Sequence, residues 1–251
     1  MKRRRAWILG IVLFLLPGLQ TLAGSGPDYE LWDDLLVSYV RNGFVDYDGF
    51  ARDPRLDQFV AELGTTEAAS LNDSDARKAF YINAYNAIAI RGILDGYATG
   101  NQGQRNRFFT RLKYDVLGEP TTLQQIEHGE LRPMGDPRIH FAIVCASLSC
   151  PRLSSAAYRP EQLDAQLELA ATAFINDHSR NRFDASRKIA FVSKIFDWFS
   201  SDFATTAPGL QIFLSQYVQD PEASALLAGS GFTMKYAEYD WNLNGQLTAP
   251  R

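Results

Sequence analysis

Apolar positions fall into helical spacing early, with Trp32, Leu35, Leu36, Tyr39 and Val40 at i, i+3, i+4, i+7 and i+8. That pattern predicts an opening helix over Tyr29 to Asn42, stopped by Asn42-Gly43. Leu56 to Leu63 predicts a shorter second helix. From Asp73 to Leu94 apolar residues occupy most sides of the helical wheel, which predicts a helix buried in the centre of a domain. Residues 95–120 then turn polar and Gly-rich around Phe108-Phe109, predicting a long connection and a candidate binding loop or flap. Thr122 to Leu131 reads as a helix ended by Pro133, Gly135 and Pro137. The apolar run Ile139 to Cys145 reads as a buried strand, with Ala146 to Pro151 as loop. Pro160 to Ile175 is an amphipathic helix. Arg182-Phe183 and Ile189 to Val192 flank Asp184 to Arg187 as a hairpin. Leu210 to Tyr217 and Pro221 to Leu227 predict short helices, and Phe232 to Tyr239 a late strand. No repeat or linker divides this order, so the expected fold is a single α+β domain, its helices packed on a small, mainly antiparallel sheet.

The first 23 residues have a different character. Lys2, Arg3, Arg4 and Arg5 precede the apolar stretch Ala6 to Leu16, and Thr21-Leu22-Ala23 offers small residues for cleavage. This predicts a secretory signal peptide at 1–23 and a mature domain at 24–251, periplasmic or secreted. Eleven apolar residues reach about 16 Å as a helix, short of the roughly 20 residues a membrane span requires. No membrane span is expected after cleavage. Four of the 25 basic residues and none of the 29 acidic ones lie in this leader, so its removal takes the net charge from -4 to -8. An acidic chain with no basic stripe argues against a nucleic-acid partner. With 46% apolar and 22% charged residues the composition is that of a folded domain.

Four polar clusters could carry chemistry. Asn83 and Asn86 share one helical face. Buried amides need partners, so they either hold a neighbouring backbone or line a pocket. Glu127, His128 and Arg132 are a set that can orient an imidazole or bind an anion, or else form an ion-paired surface. His140, Cys145 and Cys150 stand close in sequence. A thiol beside an imidazole makes a nucleophilic dyad, but on a regular strand positions five apart face opposite ways. In an oxidising compartment Cys145 and Cys150 are equally candidates for a disulfide. Tyr239 to Asn244, with Asp240 and Trp241, either pins the chain end or completes a pocket. Phe196, Trp198, Phe199 and Phe203 read as core aromatics with Asp197 and Asp202 as capping acids. Three histidines without HExxH spacing argue against a His-rich metal site. Asp46, Asp48, Asp73 and Asp75 are carboxylates that could hold Ca²⁺, but no EF-hand loop pattern is present, so no metal site and no cofactor are expected.

Phe80 to Ala87, Ile126 to Arg132, Asp136 to Ser147 through Cys150-Pro151, and Tyr239 to Asn244 together resemble the family DUF547, a domain of unknown function. The resemblance implies no established activity. A buried helix before a His-bearing segment is also loosely similar to the papain and transglutaminase core. This chain departs from that core, because no Cys opens its helix near Asn72 to Phe80. Two functions follow as expectations. One is a thiol-dependent hydrolase or acyl transferase with Cys145 as nucleophile, His140 as base and Glu127 orienting the imidazole; Asn83, Asn86, His128, Arg132 and Asp240 would bind the substrate. The other is a non-enzymatic module for a small ligand or peptide, with a structural Cys145–Cys150 disulfide.

Overall fold

The helix Ser74–Leu94 organises the molecule. Asp73 caps it by accepting the Ala76 N–H at 2.7 Å. From Ala76 to Leu94 every residue except Arg77 and Arg91 is buried. The apolar-all-round pattern is therefore a central position in the domain, and the helices Tyr47–Arg52 and Arg55–Thr65 pack against it. The structure is a computed structural model that describes residues 26–203 and 209–248; the expected leader, 1–23, lies outside them. Among the described residues no helix is long and apolar enough to cross a membrane.

The class is α+β, with three small sheets. Val40–Arg41 and Phe44–Asp46 form an antiparallel hairpin, and Gly245–Gln246 from the chain end adds in parallel, Val45 opposite Gly245. Tyr114–Val116 pairs antiparallel with Glu119–Thr121. Arg182–Asp184 and Ile189–Val192 form the expected hairpin, and the late strand Thr233–Tyr236 joins it in parallel.

Two apolar cores meet along one seam. The larger surrounds the central helix and includes Ile139, Ala142 and Ile143. The smaller gathers Phe141, Phe174, Phe196, Phe203 and Leu214 beneath the third sheet. Phe141 points to one core and its neighbours to the other, so residues 139–143 stitch the two together.

Three local expectations change. Asn42-Gly43 ends no helix; with φ of 51° and 80° it is the turn of the first hairpin, a shape that Asn-Gly favours. Residues 95–120 are not an open flap: Gln102–Thr110 is a helix closed by a capping box between Asn101 and Gln104, and the second hairpin follows. Ile139 to Cys145 is not a strand. Asp136 accepts the Arg138 N–H at 3.1 Å and Pro137 supplies a helical φ, so Pro137–Phe141 coils as a 3₁₀ helix. A papain-like core is not confirmed.

Candidate functional site

The site begins with an irregular helix. Thr122 and Gln125 form a capping box that starts Leu123–Gln125. The chain then widens into a π-helix over Ile126–Leu131, a rare form frequent at functional sites. Arg132–Met134 tightens again and stops at Gly135, whose φ of 74° suits glycine. This winding leaves Glu127 and Leu131 buried while His128 and Arg132 reach outward together.

Arg132 grips Asp202 with two parallel hydrogen bonds, Nε to Oδ2 at 2.6 Å and Nη2 to Oδ1 at 2.7 Å. Its Nη1 donates to His128 Nδ1 at 2.7 Å, which fixes His128 with its proton on Nε2. His140 Nε2 donates to the same Asp202 at 2.8 Å. The ring of His140 stacks on Phe199, with centroids 4.0 Å apart. Its free Nδ1 faces Glu127 Oε1 at 3.9 Å, outside hydrogen-bond reach. Tyr85 donates to the other carboxylate oxygen at 3.4 Å. Asp202 thus ties the short helix Ser200–Phe203 to both the π-helix and the 3₁₀ helix.

Burial sets the ionisation of this group. Burial pushes the Glu127 carboxyl up to about 7, against the opposing pull of Arg132 and the Tyr85 hydrogen bond. Burial pushes His140 down to about 4, against the Asp202 carboxylate, which favours the charged ring. Asp202 itself is held well below the usual carboxylate range, chiefly by its bonds from Arg132. At neutral pH the site therefore holds a neutral His140, an ionised Asp202 and a Glu127 poised between states.

Glu127 and His140 floor a chamber of about 260 Å³. Its walls are mostly rings: Tyr85, Phe109, Trp198, Phe199, Tyr239 and Trp241. Ile143, Ile195, Gln124, His128 and the two cysteines complete it. It lies on the seam, Ile143 coming from one core and Ile195 from the other.

Cys145 and Cys150 are bonded to each other, with Cα atoms 6.2 Å apart. The Cys145 sulfur also meets Ser147 Oγ at 2.9 Å and the Tyr239 hydroxyl at 3.2 Å. The expected Cys145–His140 dyad is not formed: the sulfur is tied to Cys150, and the imidazole is bonded to Asp202. Of the expected catalytic set, the structure brings Cys145, His140 and Glu127 to one chamber without joining them chemically.

The expected binding residues divide. His128 lines the chamber and Arg132 buttresses it. Asn83 and Asn86 do not line it. Asn83 donates to the Tyr158 carbonyl at 2.7 Å and accepts the Tyr158 N–H at 2.9 Å. Asn86 donates to the Ala142 carbonyl at 3.0 Å and accepts the Val144 N–H at 2.9 Å. Each side chain serves as a two-pronged substitute for a strand partner. Asp240 is also outside the chamber, where it accepts the Asn242 N–H and turns the chain. Its neighbours Tyr239 and Trp241 do line it, so the terminal segment both pins and completes.

Asp202 was not among the expected site residues, nor were Tyr85, Phe109 or Trp198. Trp198 is 45% exposed, not a core ring. An acid set between Phe199 and Phe203 was the available signal for Asp202, and it reads equally well as a helix cap. Among the described residues no group of three His, Cys, Asp or Glu side chains is placed to hold a metal ion. No curated protein and no solved structure matches the chain. Residues 68–175, which carry the central helix, the π-helix, His140 and both cysteines, match the family model "Protein of unknown function, DUF547", and over that segment the chain is similar to this family.

Proposed function

We propose that the protein is a binding protein for a small, largely apolar ligand, held in the ring-walled chamber above Glu127 and His140. The Cys145–Cys150 bond is then structural. What carries the reading is the pairing of an apolar cavity of about 260 Å³ with one buried, protonatable carboxyl at its floor. Residues 1–23 fit the reading as an export signal, since an oxidising compartment would preserve the cysteine bond. The test is a tryptophan-fluorescence titration of residues 24–251 with small aromatic ligands, exploiting Trp198 and Trp241. Saturable quenching is expected. It should be lost in Ile143→Trp, which fills the chamber, and kept in the Cys145→Ser/Cys150→Ser protein.

A second reading is favoured by one observation, that Cys145, His140 and Glu127 border the same space. It is a thiol-dependent hydrolase or acyl transferase, active after reduction: Cys145 would attack an acyl carbon, its proton passing to the free Nδ1 of His140 and on to the departing alcohol or amine, and water or an acceptor nucleophile would then cleave the thioester and restore the thiol. The same protein, reduced, is assayed for ester turnover. Turnover that appears with reductant and vanishes in Cys145→Ser would replace the first reading with the second.

A further inference from the structure

We infer that the chamber takes an organic ammonium ion, an amine or quaternary ammonium carried on a small apolar body. The inference rests on the chamber being a ligand site, and it names the class of ligand. Three observations carry it. First, Glu127 is only 8% exposed yet has no Lys or Arg ion-paired to it among the described residues. Its Oε2 accepts one long bond from Tyr85. Its Oε1 makes no hydrogen bond, and no fully enclosed side-chain oxygen among the described residues lacks one, so Oε1 opens on the cavity. Second, no Lys or Arg lines the chamber, and the nearby Arg132 is committed to Asp202 and His128. An anionic ligand would meet a carboxylate whose one neighbouring cation, Arg132, is already bonded to Asp202 and His128. Third, Tyr85, Trp198, Phe199, Tyr239 and Trp241 line the same cavity as Glu127 with rings, whose faces attract cations, most strongly where water is excluded. Trp241 already holds the Arg105 guanidinium 4.5 Å from its centre.

The groups facing Glu127 are Tyr85, His140, Arg132 and Asp202, with His128 beyond. Burial depresses both imidazoles, so near neutral pH the group that changes charge is Glu127 itself. An ammonium ion needs it ionised, and binding below pH 7 should expel a proton. A neutral hydrogen-bond acceptor would need it protonated and would bind better as pH falls.

The experiment compares benzyltrimethylammonium, its uncharged carbon analogue neopentylbenzene, and phenylacetate by calorimetry on residues 24–251 at pH 6 and pH 8. The cation should bind about tenfold more tightly than the neutral analogue at pH 8, and less tightly at pH 6. Glu127→Gln should erase both the preference and the pH dependence while still binding neopentylbenzene, which shows the chamber intact. Equal binding of cation and neutral analogue, or a preference for phenylacetate, would overturn the ammonium assignment and leave the chamber as a ligand site. Binding of none of the three would overturn both.

Discussion

Glu127 and His140 are displaced from their ordinary ionisation in opposite directions, and their effects on stability oppose each other. Folded, Glu127 keeps its proton to about pH 7, whereas an unfolded Glu releases it near 4.5. Between those values the native state binds more protons, so this group lowers stability as pH rises. His140 is the reverse. The unfolded ring takes a proton below about 6.5 and the folded ring only at about 4, so it raises stability as pH rises through that window. From about pH 4.5 to 6.5 the two slopes cancel. Glu127→Gln removes one of them. Its stability should then climb with pH by about 1 kcal/mol per unit relative to wild type across that range, measured by urea denaturation at half-unit steps. Parallel curves for the two proteins would show that Glu127 is not the buried acid described.

At the scale of elements, the segment after the 3₁₀ helix has no strand beside it, and Asn86 stands in for one. Two backbone groups, the Ala142 carbonyl and the Val144 N–H, depend on its amide. Asn86→Leu keeps the number of side-chain heavy atoms but leaves both unsatisfied in the core, at a cost of about 2–4 kcal/mol. Surface amides such as Gln58 supply the control, and the urea midpoint is the readout. The same residue shows how much of the site was legible in the sequence. An amide inside an apolar helix announced that something buried needed hydrogen bonds, and both outcomes remained open. The helix itself was plain because its pattern is local. Residues 139–145 were misread because their apolar run has the same composition whether it forms a ladder or is held by one side chain. The helix Gln102–Thr110 was missed for the opposite reason: its surface-facing sequence QGQRNRFFT has almost no apolar stripe, and only Phe108 is buried. Glu127, His140 and Cys145 stood out in the sequence as candidates, but Asp202 and Trp198 did not. Their roles depend on which loop the seam brings opposite, which no spacing within one segment encodes.

Across the whole molecule, the terminal segment is a structural member. Asn244 accepts the Tyr47 hydroxyl at 2.7 Å, and its carbonyl accepts the Val45 N–H. The Asp240 and Asn242 carbonyls accept N–H groups of Ser149 and Leu148 beside the disulfide. Gly245 lies so close to the Val45 carbonyl and the Tyr47 ring that no side chain fits there. Ending the chain after Ala237 should therefore cost at least about 3 kcal/mol and abolish near-ultraviolet dichroism from the Trp198, Tyr239 and Trp241 cluster, with both measured on the purified truncation. An unchanged urea midpoint would mean that the segment merely decorates the surface. The placement of these rings also has a consequence in time. A chain is made from its first residue onward. Tyr85 and Glu127 are made long before Tyr239 and Trp241, so the chamber lacks two of its rings until that later segment has been added. The ligand proposed above would therefore meet its full set of rings only on a chain that already carries Trp241.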